Sequence, residues 1–150
     1  VTSNRPGALV QALHVLHIQT RGPGFTDISR DVRRWLAEIL AGDGLLTVFV
    51  RHTSASLVIQ ENADPDVRRD LLDSLDRLAP RDHAYAHATE GPDDMPAHIK
   101  SMLTATSIGI PVSNGAPVLG TWQGLYLVEH RDAPHRRDVV LQFIGTRGPE

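Results

Sequence analysis

Apolar and polar positions alternate at the start of the chain, then recur at helical spacing, then alternate again. From Leu9 to Gln19 the apolar residues fall in places on both faces. With β-branched residues present and Gly22-Pro23-Gly24 as a stop, this predicts a strand. Ile28, Val32, Trp35, Leu36, Ile39 and Leu40 then repeat at i, i+4, i+7, i+8, i+11 and i+12. Arg30, Arg33, Arg34 and Glu38 lie opposite them, so the segment predicts an amphipathic helix that Thr26 or Asp27 can cap. Gly42-Asp43-Gly44 reads as its end, and the nearly all-apolar Leu45–Val50 reads as a strand buried on both faces.

After the polar segment Arg51–Ser56, Leu57–Gln60 resumes as a strand. Asp64-Pro65 opens a second helix, with Asp as N-cap and Pro in the first helical position, and its stripe is Val67, Leu71, Leu72, Leu75 and Leu78. A polar loop from about Pro80 to Asp94 precedes a third helix, with Met95, Ile99, Met102 and Leu103 expected inward. The last third reads as β. It comprises Ser107–Val112, a hairpin at Asn114-Gly115, a long strand Val118–Glu129 bent at Gly120 and Gly124, and Val139–Ile144. This order predicts an α+β fold of antiparallel hairpins with helices covering one side. Residues 1–7 read as a loose arm, and 150 residues without repeat or linker read as one domain.

Composition narrows the chemistry. The chain has no cysteine, which excludes disulfide frameworks, thiolate metal sites and Cys nucleophiles. A net charge of −3 gives no basic footprint for a dedicated nucleic-acid binder. No apolar run approaches the roughly 18–20 residues of a membrane helix, and the first residues lack a signal pattern, so the expectation is a cytoplasmic protein with no membrane partner. Eight histidines stand out, because histidine is both a common metal ligand and the neutral-pH proton carrier.

Three polar clusters interrupt the pattern. The hydroxyls and amides of His52-Thr53-Ser54-Ala55-Ser56 suit either an anion-binding turn or a solvated turn that satisfies its own backbone. In Glu61-Asn62-Ala63-Asp64 the aspartate is most simply a helix cap with one oxygen to spare. The densest cluster holds His83, Tyr85, His87, Glu90, Asp93, Asp94 and His98. His98 falls on the edge of the third helix's apolar stripe, which fits a hydrogen-bonded core histidine or, with His87 and carboxylates near, a metal or acid–base site. Trp122 suits the core or a subunit contact, and a buried Gln123 would orient a ligand or a histidine.

Together these blocks resemble the YjbQ family, also called UPF0047, described as secondary thiamine-phosphate synthases. The resemblance rests on Ser107–Gly115 followed by Gly120-Thr121-Trp122-Gln123, on His52–Ser56, on Glu61–Pro65 and on Glu90–Ser101. Glu129-His130 and Arg136-Arg137 also match, and the similarity runs over about residues 8–146. It implies a two-sheet β-sandwich, a homotrimer, and a polar site around the motif histidines that holds a metal or phosphate. The implied activity joins a pyrimidine diphosphate to a thiazole phosphate, giving thiamine phosphate and pyrophosphate.

Such a reaction asks for charge on the leaving pyrophosphate and for proximity of two rings. Thr53, Ser54, Ser56, Lys100, Gln123 and Arg136 are the candidates to hold a small phosphorylated molecule. His52, His87 and His98 are the candidates for a divalent ion, with Asp64 and Glu90 as carboxylate partners. The lack of cysteine favours imidazole and oxygen ligands, hence a zinc-like ion, with magnesium or manganese as other candidates. The alternatives are a metal-dependent hydrolase and a non-catalytic trimeric module that binds a phosphorylated metabolite.

Overall fold

A computed structural model describes residues 7–149, so all of the expected N-terminal arm except Gly7 lies outside the described residues. In chain order the elements are β1 (Val10–Gln19), β2 (Gly24–Asp27), α1 (Ser29–Glu38), β3 (Ala41–Val50), β4 (Ala55–Glu61) and α2 (Pro65–Leu78). There follow α3 (Asp94–Leu103), β5 (Ser107–Ser113), β6 (Ala116–Pro117), β7 (Gln123–Glu129) and β8 (Arg136–Arg147). The strands form two antiparallel sheets, ordered β1-β8-β3-β5-β6 and β2-β7-β4. The fold is α+β, as the order of elements predicts.

The core lies between the sheets and α1. Leu46, Val48, Leu141 and Phe143 of the large sheet meet Leu57, Leu125 and Leu127 of the small one, with Val32 and Leu36 from α1. Each of these side chains is fully or almost fully buried, and each such burial contributes about 1.5–3 kcal/mol before entropy is counted. Asp64 caps α2 as read, its Oδ1 accepting from the Asp66 amide at 2.9 Å. Asn114 and Gly115 both have positive φ, the requirement of a two-residue hairpin turn.

Four expectations change. Gly42-Asp43-Gly44 does not end an element but lies inside β3, at a shift in its register with β8. Gly44 faces Gly145 so closely that a Cβ on either would overlap the other strand's backbone, so these glycines permit a close approach. Second, β3 is buried on one face only, because Leu45 and Phe49 point to the outside of the large sheet. Third, the long strand at Val118–Glu129 is broken. The Gln123 Oε1 accepts from the Gly120 amide at 2.8 Å and makes a turn there, leaving Trp122 exposed.

The fourth change concerns α3. Its buried residues are Asp94, Pro96, Ala97 and Lys100, whereas Met102 and Leu103 face out. The physical reason is that the charged side chains of α3 find their partners on the inward side. Arg131 and the two histidines His87 and His98 draw Asp94 inward, Asp76 of α2 draws Lys100, and Pro96 and Ala97 are buried between them, against the apolar periodicity.

Candidate metal centre

One corner of the sandwich collects three segments: the connection from β3 to β4, the first turns of α3, and the residues after β7. Asp94 and His98 stand four apart, on the same face of α3. The loop before the helix brings His87 to the same point. Asp94 is buried, and its Oδ2 lies 2.6 Å from His87 Nε2 and 3.1 Å from His98 Nε2. The candidate ligand atoms of the three residues lie within 4.8 Å of one another.

Hydrogen-bond accounting makes this trio informative. His98 Nδ1 lies 3.0 Å from the Thr53 carbonyl, which can only accept, so Nδ1 carries a proton. In a neutral ring Nε2 is then bare, yet it faces a carboxylate oxygen. Two acceptors in contact repel unless a cation sits between them, either a second proton on the ring or a metal ion. Nδ1 donating to a carbonyl with Nε2 free is also the arrangement that orients a metal-binding histidine.

Asp94 is prepared for a cation. Burial pushes its carboxyl pKa up, but the hydrogen bond from His87 and the nearby His98 and Arg131 hold it below the ordinary carboxylate range. Arg131 Nη1 donates to Asp94 Oδ1 at 2.7 Å, and Arg131 Nε to Asp93 Oδ2 at 2.8 Å, so one guanidinium fixes both carboxylates. The side chains of His87 and His98 are 42% and 32% exposed, so the position between them is open to solvent. Beside His87 lies a cleft of about 290 Å³, lined by Arg81, His83, Tyr85, Gly91 and Met95.

The other candidate residues are placed as follows. His52 is held apart from the trio, its Nε2 accepting from the Asp138 amide at 2.8 Å, so it offers that nitrogen to no ion here. Asp64 caps α2 and Glu90 is exposed, its Oε2 3.9 Å from His87 Nε2. Ser54 accepts from Arg137 and Ser56 meets His130 Nε2 at 2.8 Å, so both hydroxyls turn inward, while Thr53 contributes its carbonyl. Lys100 is buried against Asp76 of α2. Arg136 lies beside Asp138, 3.9 Å away and exposed. Gln123 sits at the far end of β7, roughly 23 Å along the chain from His130 at about 3.3 Å per residue. It lines a separate cleft of about 570 Å³ with Arg30, Arg33 and Asn62.

The sequence places Asp94 in the polar cluster and His130 in a matching motif without giving either a role in the site, and Arg131 is missed altogether. The signal for Asp94 was its place four residues before His98. Nothing local marks Arg131, which is distant in sequence from the acids it clamps.

His130 also carries a pH prediction. Burial, then the charge of Lys100, pushes its pKa down from 6.5 to about 4. In the unfolded chain the ring takes up a proton near pH 6.5, but in the folded chain only near 4. Between these values the unfolded state binds more protons, so stability falls as pH drops, by up to about 3 kcal/mol for this one group. His52 is shifted down as well, mainly by burial, and acts in the same direction. Glu129 is held below its ordinary value by hydrogen bonds from Arg137 and Thr20 that outweigh burial, and its contribution is lost only at lower pH. Urea midpoints measured from pH 7.5 to 5 should therefore decline, and less steeply in His130→Gln. Parallel declines would contradict the assignment.

Among known proteins, the model of the UPF0047 YjbQ-like family matches residues 14–146. A UPF0047 protein of Synechocystis sp. is 50% identical over 136 residues, covering 90% of this chain and 92% of the relative. YjbQ of Escherichia coli O157:H7 is 42% identical, over 87% of this chain and 95% of its own. A solved YjbQ/UPF0047 structure from Clostridium acetobutylicum superposes with a TM-score of 0.77 at 39% identity, covering 88% of this chain and 98% of that one. A YbjQ-like protein of unknown function from Sulfolobus solfataricus reaches a TM-score of 0.85 at 21% identity, covering 92% of this chain and 99% of its own, a likeness of fold alone. With its match across nearly the whole fold, this chain belongs to the UPF0047 YjbQ-like family.

Proposed function

We propose that His87, Asp94 and His98 hold a divalent cation and that the chain is an enzyme acting on a phosphorylated small molecule. The observation that carries this reading is the bare His98 Nε2 facing an ionised carboxylate oxygen, an arrangement that a cation completes. Two imidazoles and one carboxylate suit a zinc-like ion and leave a coordination position for water or a phosphate oxygen. When bound, such an ion draws electron density from that oxygen. The chain does the rest. Thr53 fixes the His98 tautomer, Arg131 keeps Asp94 ionised and oriented, and the loop before α3 brings up His87.

The reaction proposed is the one the sequence resemblance implies. The bond from the pyrimidine methylene to the diphosphate oxygen breaks with its electron pair, and the thiazole nitrogen supplies the pair for the new C–N bond. No oxidant or reductant is needed. Because the single chain leaves the site open to solvent, capture by water, giving the pyrimidine alcohol, is the competing outcome. The test is incubation of the zinc-loaded protein with pyrimidine diphosphate and thiazole phosphate, read by mass spectrometry. Thiamine phosphate supports the transferase, the alcohol supports a hydrolase, and no turnover with any divalent ion leaves a binding module.

We also propose a homotrimer. Leu13, Leu45, Phe49 and Ile144 form an outer face of the large sheet and are 44–63% exposed, an apolar surface that a second copy would cover. Light scattering at micromolar concentration should give a mass close to three chains, and Phe49→Glu should reduce it towards one. A wild-type mass of one chain would contradict the proposal.

A further inference from the structure

Behind the trio lies a buried histidine with no part in the proposal above. His130 is 2% exposed, and its Nε2 meets Ser56 Oγ at 2.8 Å. Its ring has no other hydrogen bond among the described residues. Among them, no buried side-chain nitrogen or oxygen lacks a partner, so Nδ1 must be touched by solvent. The residue belongs to the same corner. Its amide donates to the Ser54 carbonyl, next to the Thr53 carbonyl that holds His98, and Arg131 after it clamps Asp93 and Asp94.

The hydroxyls behind His130 decide what Nδ1 offers. Thr104 Oγ1 lies 2.6 Å from Ser56 Oγ and 2.8 Å from the Lys100 carbonyl, and its single hydrogen serves one of them. If it goes to Ser56, the Ser56 hydrogen goes to Nε2 and the ring proton sits on Nδ1, a donor. If it goes to Lys100, Ser56 donates to Thr104 and accepts from Nε2–H, and Nδ1 becomes an acceptor. One hydroxyl rotation thus switches Nδ1 between donor and acceptor with no change in net charge.

We propose that His130 is a second ligand-binding group of this corner, whose Nδ1–H donates to an oxyanion, a phosphate oxygen. The surroundings favour an anion. The charged groups acting on the ring are Lys100 of α3, whose other partner is Asp76 of α2, with Glu129 of β7 and Arg137 of β8, and the effect of Lys100 on the ring exceeds that of Glu129. The low basicity of the ring keeps it a neutral donor at pH 7. This inference rests on the reading that the corner takes a phosphorylated ligand, but not on the metal.

The test is a long-range ¹H–¹⁵N spectrum of the histidine rings in the intact protein at pH 7, with inorganic phosphate as the probe and zinc added separately. His130 is assigned by its loss in His130→Gln, or by its displacement in Ser56→Ala should the first variant misfold. Phosphate should move the Nδ1 resonance saturably towards the protonated value and raise the ring's titration midpoint. His14, stacked on Trp35, should not move. A His130 ring indifferent to millimolar phosphate, or moving only in parallel with His14, overturns the inference even if zinc shifts His87 and His98. A phosphate response at His130 with no zinc response at His87 and His98 keeps this inference and sinks the metal site.

Discussion

Arg137→Met should destabilise the protein by about 3–5 kcal/mol, a large share of the roughly 5–15 kcal/mol that holds a domain folded. The side chains of Arg137 and Glu129 are 4% and 1% exposed, and the guanidinium spans both carboxylate oxygens. Thr20 Oγ1 adds a hydrogen bond at 2.6 Å, and Arg137 also reaches Ser54, so this pair ties the residue after β1 and the residue before β4 to β7 and β8. Removing the arginine leaves a buried carboxylate with only the hydrogen bonds from Thr20 and the His130 and Arg131 amides, and no countercharge. That carboxylate must then take a proton or draw in water. Adding Glu129→Gln to Arg137→Met should restore part of the loss, because the uncompensated charge goes. Urea unfolding of the wild type and both variants measures this. A single-variant loss below about 1 kcal/mol would show that the pair is not a keystone of the fold.

Asp94→Asn should lower zinc affinity roughly 100-fold or more while leaving the fold intact. The amide keeps the shape of the side chain but loses the charge that faces both imidazoles. Arg131 retains Asp93, so the clamp survives. Glu90→Gln should change affinity little, since Glu90 stands 3.9 Å from His87 and is exposed. Competition against a chromogenic chelator at pH 7.5 separates the variants. Equal affinity in the wild type and Asp94→Asn would remove Asp94 from the ligand set.

Sequence periodicity was a good guide wherever one apolar stripe met one apolar layer, as with Val32, Trp35 and Leu36 of α1. It misled at α3, where Arg131 and two histidines claimed Asp94, Asp76 of α2 claimed Lys100, and Met102 was left outside. It also misled at Gly42–Gly44, because glycines that end a helix and glycines that let two strands touch are alike in one dimension. In the site, His87 and His98 were legible from crowding of polar residues in a single loop and helix. His52 was drawn to them by motif, yet the turn after it sends the ring to the β8 backbone and only the Thr53 carbonyl to His98. Arg131 was hidden, and His130 was visible as a motif residue but without a role, because their partners are tertiary and leave no local spacing to read.

The most direct test of the metal proposal is an anomalous difference map at the zinc edge, from crystals of the wild-type protein grown with zinc and without chelator. A single strong peak is expected between His87 Nε2, His98 Nε2 and an Asp94 oxygen, at distances of about 2.0–2.2 Å. A well-ordered trio with no peak, or a peak only elsewhere, would mean that a proton on His98 satisfies Asp94 and that the site is not a metal centre.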